Sequence, residues 1–493
     1  MPLGRVTTGC PKKVASRYTL DDIAAYPVMG RKVSKTQKGG ACGLNFDAKR
    51  RSRLGLSPDT PRPRQMWMEA RMGESRNLLE VKLGTFDPEL DALIRDEMQR
   101  NEETINLIAS ENYPPKSAMK AISSMLSGVY SEGYPGERYY RGLANIDKIE
   151  SLARQRAKEV FGAEHVNVQA LSGSGANMAA YLALLEIGDP ILSMDIDAGG
   201  HLSHGAKVSV VSKLFRVTQY GVDARTGLLD YEHIRALAQK VRPRLIICGA
   251  SAYPRTIDFA RFRDIAQEVG AYLLADMAHI AGLVAAGEHP SPVPYCDIIT
   301  TTTHKTLRMT RGALILCREE HAARVDRAVF PLLQGGPHQA NIAAIAVGLK
   351  HLKTPEYKEY IRGVLANARV LAAELAQRGL KVATGGTDNH LLLVDLSACG
   401  IDGDRASILL EEANIIVNKN RIPGDTGTAT KPFGIRLGTP ALTSRGMGPQ
   451  EARRLAGWIA EVIFHPEDEI LRDRVKAQVT DLCRRFPIYQ STF

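Results

Sequence analysis

Cysteine is scarce in this chain and nowhere paired. The seven thiols, Cys10, Cys42, Cys248, Cys296, Cys317, Cys399 and Cys483, are odd in number, widely scattered and without a CxxC spacing. Neither a disulfide framework nor a zinc site is indicated, so no metal is expected, and the pattern fits a reducing cytoplasm. Long hydrophobic runs are missing as well. No apolar stretch reaches the ~18–20 residues that a membrane-spanning helix needs. Net charge is absent from most of the chain. Residues 1–82 hold 17 Lys and Arg against 7 Asp and Glu, whereas the remaining residues hold 47 of each sign. The formal charge of +10 therefore sits at one end. A neutral body suits an enzyme of small molecules and gives no support for a nucleic-acid surface.

What is present divides the 493 residues into three parts. Residues 1–82 form a basic extension, expected to be disordered, with clusters such as Lys49-Arg50-Arg51-Ser52-Arg53 and Pro61-Arg62-Pro63-Arg64. It reads as a targeting peptide, a basic arm for an acidic partner, or the product of a start upstream of the natural one, since Met66, Met68 and Met72 lie just ahead of the body. No apolar run follows the basic residues, which argues against a secretory signal, and Asp21 and Asp22 weigh against an organellar one. Order is expected from near Thr85, with Asp87-Pro88-Glu89-Leu90 as a helix start: Asp as N-cap, Pro at the first helical position.

Between about 160 and 320 strand-like and helix-like runs alternate. The predicted strands are Val166–Ala170, Pro190–Asp195, Arg244–Ser251, Tyr272–Met277, Asp297–Thr303 and Ala313–Cys317. Predicted helices between them include Ala176–Glu186, Tyr231–Lys240 and Phe259–Val269. This is the α/β pattern of a mostly parallel central sheet sandwiched by helices. Helical stretches over Ala340–Leu352 and Val364–Arg378 lead to a smaller α+β portion with strands near Leu391–Leu396, Ile415–Asn418 and Ile435–Leu437. The expected domains are 83–338 and 339–493.

The β-branched run Ile298-Ile299-Thr300-Thr301-Thr302-Thr303 drives into His304-Lys305-Thr306. A lysine at the exit of a buried strand is costly as an ammonium, and desolvation turns its amine into a nucleophile toward carbonyls. That points to a Schiff-base lysine holding pyridoxal phosphate, against a snorkelling strand-end lysine. Asp276 ends another predicted strand, where a carboxylate needs a partner such as a pyridinium nitrogen. Ser251 ends a third, and carboxyl ends of parallel strands are where open α/β sheets bind ligands. Ser172-Gly173-Ser174-Gly175 follows a strand and opens a helix, the setting of a phosphate cradle, though it is no GxGxxG.

Two imidazoles sit in Gly199-Gly200-His201-Leu202-Ser203-His204-Gly205, where His201 could stack on an aromatic ring; no carboxylate lies at metal-ligand spacing. Tyr130, Glu132 and Tyr140 form a phenol-rich stretch around one carboxylate, suited to acid–base work or to a packed subunit interface. Arg436 is the best carboxylate clamp.

Together these elements resemble the serine hydroxymethyltransferase family of fold-type I pyridoxal phosphate enzymes, from about Asp87 to Tyr489. The motifs that carry the resemblance include Leu107-Ile108-Ala109-Ser110-Glu111-Asn112-Tyr113, Glu132-Gly133-Tyr134-Pro135-Gly136, Asp276-Met277-Ala278-His279, Thr300–Thr306, Gln334-Gly335-Gly336-Pro337, Gly385-Gly386-Thr387-Asp388-Asn389-His390 and Val417-Asn418-Lys419-Asn420. The resemblance implies pyridoxal 5'-phosphate bound covalently at Lys305, its ring nitrogen on Asp276, its face on His201, its hydroxyl on Ser251 and its phosphate on Ser172, Gly173 and Ser174. Gly335 and Gly336 of a neighbouring subunit would assist, making a homodimer with shared sites, or a tetramer built from it. His279 and Thr302 join the cofactor residues, and His304 the catalytic ones. Arg436 would grip the amino acid carboxylate with Ser110. Glu132, Tyr130 and Tyr140 of the neighbour would surround the hydroxymethyl group, and Leu202 and Asn420 would line the site of tetrahydrofolate, the co-substrate. The implied reaction interconverts serine and tetrahydrofolate with glycine and 5,10-methylenetetrahydrofolate.

Four places depart from the family's pattern. Gly-Pro after the lysine motif is Met309-Thr310, Gln after Ser-Gly-Ser is Gly175, Phe-Pro-Gly is Phe330-Pro331-Leu332, and Tyr-Tyr-Gly-Gly is Tyr139-Tyr140-Arg141-Gly142. Loss of Gly-Pro changes both backbone freedom and side-chain bulk. These changes raise two alternative activities: a 2-methylserine hydroxymethyltransferase and a folate-independent 3-hydroxy amino acid aldolase. A non-enzymatic scaffold or RNA-binding homologue is a third reading, against which intact Lys305, Asp276 and Arg436 argue.

Overall fold

The computed structural model describes residues 81–489. The basic extension, apart from its last two residues, lies outside them. Leu83–Phe86 form a single helical turn, and the compact body begins at Asp87. Helix α1, Pro88–Glu103, starts as predicted: Asp87 Oδ1 accepts the Leu90 N–H at 3.0 Å, with Pro88 at the first position. After α2, Ala144–Phe161, the chain enters the main sheet.

That sheet has seven strands: β1 His165–Asn167, β2 Pro190–Met194, β3 Arg216–Tyr220, β4 Leu245–Cys248, β5 Tyr272–Asp276, β6 Ile298–Thr302 and β7 Ala313–Cys317. Their spatial order is β1-β7-β6-β5-β4-β2-β3. From β3 through β6 the neighbours run parallel, and β7 is antiparallel to both β6 and β1. The link from β6 to β7 is short, and a parallel return needs a crossover of about a dozen residues or more. β7 must therefore reverse, and Lys305 rides on the reversing loop. Buried residues fill both faces: Phe259, Phe262, Leu273 and Leu314 on one, Tyr181, Ile247, Leu274 and Ile315 on the other.

Most predicted strands are present but shorter. β1 stops at Asn167, whose Oδ1 accepts the Gln169 N–H at 2.9 Å, a local bond that replaces the ladder. β4 ends before Gly249, which takes φ +122°; a Cβ there would come within 3.0 Å of the Asp276 backbone nitrogen. Only glycine allows that approach. β3 was not anticipated, because an edge strand with Arg216, Thr218 and Gln219 lacks an apolar run.

Helix α3, Gly173–Leu184, follows β1. Beyond the sheet come α4, Gln339–Leu352, and α5, Pro355–Gln377. α5 begins nine residues before its predicted start, capped by Thr354 Oγ1 accepting the Tyr357 N–H at 3.3 Å. A four-stranded antiparallel sheet follows: β8 Lys381–Val382, β9 Leu391–Asp395, β10 Asn418–Asn420 and β11 Gly434–Gly438, in the order β8-β9-β11-β10. It has its own buried core, including Leu392, Val394, Leu437, Leu455 and Ile459. Ile105–Asn106 pair in parallel with Ile415–Ile416, tying the start of the body to this second core.

Candidate active site

The pocket is built where β4, β5 and β6 end. Asp276 is the last residue of β5 and pairs in register with Thr300 of β6. Its Oδ2 accepts from His204 Nε2 at 2.9 Å and Asn177 Nδ2 at 2.8 Å, and its Oδ1 accepts the Ala278 N–H at 3.0 Å. Burial alone would raise this carboxyl; His204, Asn177 and nearby Lys305 hold it far below the usual carboxylate range. Asp276 is thus an anion throughout the physiological range, with lone pairs to spare for one more donor.

The proton positions around it follow from the main chain. His204 Nδ1 accepts the His201 N–H at 3.2 Å, which leaves Nε2 as the donor toward Asp276. Asn177 spends its two amide hydrogens on Asp276 Oδ2 and Ser203 Oγ (2.8 Å), while its Oδ1 accepts from Thr300 Oγ1 at 2.6 Å. Ser203 Oγ then donates to His201 Nδ1 at 2.7 Å. His201 is neutral, its pKa pushed down by burial to about 4. A neutral imidazole face is suited to stacking on a flat heteroaromatic ring.

Lys305 lies beyond β6 and is buried. Burial lowers its pKa to about 8, Asp276 opposes the fall, and Arg436 and Arg311 deepen it. A sizeable neutral fraction is therefore available near neutral pH. Arg436, in β11, donates from Nε to Asn418 Oδ1 (3.0 Å) and from Nη1 to the Ser251 carbonyl (2.7 Å). Burial brings its pKa to about 10. Among the described residues it has no acidic partner, an unusual state for a buried guanidinium and one that an incoming carboxylate would relieve.

Ser172 caps α3 by accepting the Gly175 N–H at 3.2 Å, and Ser172 and Ser174 are exposed at this helix N-terminus. Gly173 lies against Thr302: a Cβ would come within 2.6 Å of Thr302 Cγ2. Thr302 Oγ1 is buried without a hydrogen-bond partner. Ser251 closes onto the histidine loop through its N–H to the Gly199 carbonyl at 2.7 Å. His279 is buried, held well below the usual imidazole range by burial, and its Nδ1 lies 3.2 Å from His390 Nε2 with the rings stacked.

Ser110 and His304 line a cavity of about 590 Å³ with Asn112, Met309, Thr310 and Arg311. His304 Nδ1 is buried without a partner, and burial takes that imidazole to about 4. Leu202 is exposed. Asn420 Nδ2 donates to the Arg421 carbonyl at 2.6 Å, and Arg421 pairs with Asp197 at 2.8 Å. That ion pair joins the residue following β10 to the turn Ile196–Ala198, which precedes the turn Leu202–His204.

A second group gathers separately. Tyr130 and Tyr140 meet edge to face at 5.2 Å, and Tyr140 OH lies 3.4 Å from Glu132 Oε2. A Cβ on Gly335 would sit 3.1 Å from Glu132 Oε1, and one on Gly336 3.5 Å from Tyr130. Tyr130 and Tyr140 are 60% and 44% exposed. Beneath them the charges are buried. Arg138 donates to the Ser131 (2.8 Å) and Gly133 (2.6 Å) carbonyls on either side of Glu132, and pairs with Glu150 at 2.7 Å. Gln169 and Gln339 complete the shell of Glu150. Among the described residues no hydrogen bond or ion pair joins this group to Lys305, Asp276 or Arg436.

Sequence reasoning left Asn177 and His204 unassigned. The signals were a buried amide on the otherwise apolar helix α3 and a second imidazole three residues after His201. Among the described residues no cluster of three or more metal-ligating side chains exists, and no helix is long and apolar enough to cross a membrane. The residues present fit pyridoxal phosphate: a lysine whose pKa is lowered to about 8, a carboxylate kept ionised, a neutral imidazole, and an unpartnered hydroxyl behind a helix N-terminus.

Comparison with known proteins agrees. A family model described as serine hydroxymethyltransferase matches residues 83–459. A serine hydroxymethyltransferase of Acidobacterium capsulatum is 50% identical over 411 residues, covering 83% of this chain and 96% of that protein. One of Sorangium cellulosum is 51% identical over 405 residues, covering 82% and 96%. The chain belongs to the serine hydroxymethyltransferase family.

Proposed function

From that membership we propose that the chain is a pyridoxal phosphate-dependent enzyme that reversibly transfers the hydroxymethyl group of serine to tetrahydrofolate, giving glycine and 5,10-methylenetetrahydrofolate. The observation that carries the proposal is the coexistence in one pocket of a lysine with a pKa near 8, a buried carboxylate held ionised and a buried guanidinium without an acid. When bound, pyridoxal phosphate supplies a sink for the electrons of the bond broken at the amino acid's Cα.

Each residue then has a task. Lys305 Nζ would be the covalent anchor, its free amine made more accessible because burial lowers its pKa to about 8. Asp276, kept anionic by His204 and Asn177, would accept the ring N–H. His201, with Ser251, His279 and Thr302, would hold the ring, and Ser172, Gly173 and Ser174 would hold the phosphate at the dipole-favoured end of α3. Arg436 binds the serine carboxylate through its unused N–H groups, with Ser110 beside it. Glu132, supported by Tyr130 and Tyr140, handles the proton at the hydroxymethyl oxygen, and His304 lies next to the anchor. Leu202 and Asn420 line the folate site.

The exposed Tyr130–Glu132–Tyr140 group, with Gly335 and Gly336, serves a neighbouring copy, so the working unit is a homodimer. We assign residues 83–338 to an N-terminal arm and large cofactor-binding domain and 339–493 to a linking helix and small C-terminal domain, and place the enzyme in the cytoplasm.

The test measures serine, 2-methylserine and allo-threonine turnover, each with and without tetrahydrofolate, in the purified protein and in Lys305→Ala. Fast serine turnover that requires tetrahydrofolate is expected, with loss of about 10⁴-fold or more in the variant. Covalent cofactor persisting in Lys305→Ala, or serine turnover indifferent to tetrahydrofolate, would overturn the proposal.

A further inference from the structure

The loop from Thr303 to Gly312 is one of the four places where this chain leaves its family's pattern, and it carries Lys305. Nearly every residue of it is pinned. Arg308 N–H bonds the Lys305 carbonyl and Met309 N–H the Thr303 carbonyl, both at 3.0 Å. Thr303 Oγ1 donates to the Thr310 carbonyl at 2.6 Å. Asn112 Nδ2 donates to the Lys305 carbonyl at 2.9 Å, and Tyr357 OH to the Thr306 carbonyl at 2.9 Å. The Arg308 guanidinium lies over the Tyr360 ring at 5.1 Å and donates from Nε to the Tyr113 carbonyl at 3.1 Å. Arg308 takes φ +56°, so the loop turns at a residue that ordinarily avoids that conformation.

Met309 anchors this arrangement in the core. Its side chain is buried and reaches into a notch on α4 at Gly348. A Cβ on Gly348 would lie 2.8 Å from Met309 Sδ and closer still to Cγ. Glycine in a helix interior weakens the helix, so a buried one away from the ends calls for a steric reason. The thioether is that reason, and methionine is the side chain best able to fill such a gap. The next contact along is of the same kind: a Cβ on Gly312 would meet Ile345 Cδ1 of α4 at 2.8 Å.

The geometry points to Met309 as a positioning residue: its side chain, locked into the Gly348 notch of α4, fixes the loop that presents Lys305, in place of the rigid Gly-Pro backbone. The substitution that suggested a changed amino acid pocket is thereby a compensated change in the support of the lysine. This rests on Lys305 being the cofactor's anchor. The pair makes a further claim: Met309 and Gly348 act as a unit, so damage at one is relieved at the other.

A double-mutant cycle tests it. Gly348→Ala, Met309→Ala and the double variant are compared with the parent, with Gly457→Ala as a helix-glycine control whose added Cβ would make only an ordinary contact, 3.6 Å from Arg378 Nε. Two readouts are taken: kcat and KM of the holoenzyme for serine, and the pH midpoint for labelling of Lys305 in the apoprotein by a small amine reagent, followed by mass spectrometry. Gly348→Ala is expected to lower kcat roughly tenfold with KM changed far less, as a displaced reacting group does. Its labelling midpoint should move by about half a unit or more. The double variant should recover to within about threefold of the parent on both.

Activity and labelling unchanged within about twofold in Gly348→Ala, or a double variant no better than the worse single one, overturns the inference. Should Gly348→Ala not fold, Met309→Ala decides alone: an unmoved labelling midpoint overturns the role and a moved one supports it. Covalent cofactor surviving in Lys305→Ala would instead remove the anchor on which the argument rests, a separate failure.

Discussion

Two groups of functional side chains in this molecule are finished to different degrees. Around Asp276 the side chains partner one another within the chain: Asn177 reaches Ser203, Ser203 reaches His201, and His201 reaches His204. Around Glu132 the foundation is buried as well, with Arg138 and Glu150 beneath it, yet the phenols above stand open. A pocket that closes on itself is built for a ligand that enters it. A rigid base with exposed functional groups is built to be inserted elsewhere. The difference teaches that local order and local completeness are separate properties: the second group is held as firmly as the first and lacks only what lies above it.

The sharpest way to break that contrast is to damage the closed pocket. Asp276→Asn should keep the fold, because His204 and Asn177 still find an oxygen, while the lost charge should lower kcat by about 10²–10³-fold; steady-state kinetics with serine would show it, and a loss under tenfold would remove Asp276 from the role. Next comes Arg436→Lys, which keeps the charge and loses the fork. The KM for serine should rise roughly 10–100-fold with kcat less affected, measured at saturating tetrahydrofolate.

Mixing experiments address the contrast directly. Lys305→Ala and Glu132→Gln, each inactive alone, should regain about a quarter of parental activity after unfolding and refolding together, since half of the dimers are mixed and each carries one intact site. Lys305→Ala mixed with Asp276→Asn should regain nothing beyond their own residues of activity. Equal recovery in both mixtures would erase the distinction between the two groups.

The smallest effect concerns Lys305 itself. Its folded pKa of about 8 lies below the ordinary 10.5. Below about pH 8 the folded apoprotein carries a buried ammonium that the unfolded chain keeps hydrated; the penalty fades as pH rises from about 8 toward 10.5 and both forms become neutral. Lys305→Met should therefore raise the melting temperature of the apoprotein by a few degrees at pH 7, and by less at pH 10. A larger gain at pH 10 would reverse the sign and the assignment.

Much of this was legible beforehand, for physical reasons. Lys305, Asp276 and Ser251 stood out because charged or polar residues at the ends of buried runs are costly unless used. α1 was legible from Asp87 and Pro88, since caps are local. β3 was not, because an edge strand need not be apolar. Asn177 and His204 escaped because their meaning depends on Asp276, 99 and 72 residues away in the chain. Met309 was visible as a departure, but not its partner: nothing local marks Gly348 as a receptor for a side chain from another element.

The N–H of His201 deserves a last consequence. It fixes the imidazole of His204 in the tautomer that faces Asp276, and that N–H belongs to the peptide and not to any side chain. Exchange of the side chain at 201 leaves that N–H in place; of the twenty residues only proline there would abolish the donor. The tautomer of His204 is thus inherited through the path of the backbone, and a lineage that kept the loop and that imidazole would keep the donor toward Asp276 with it.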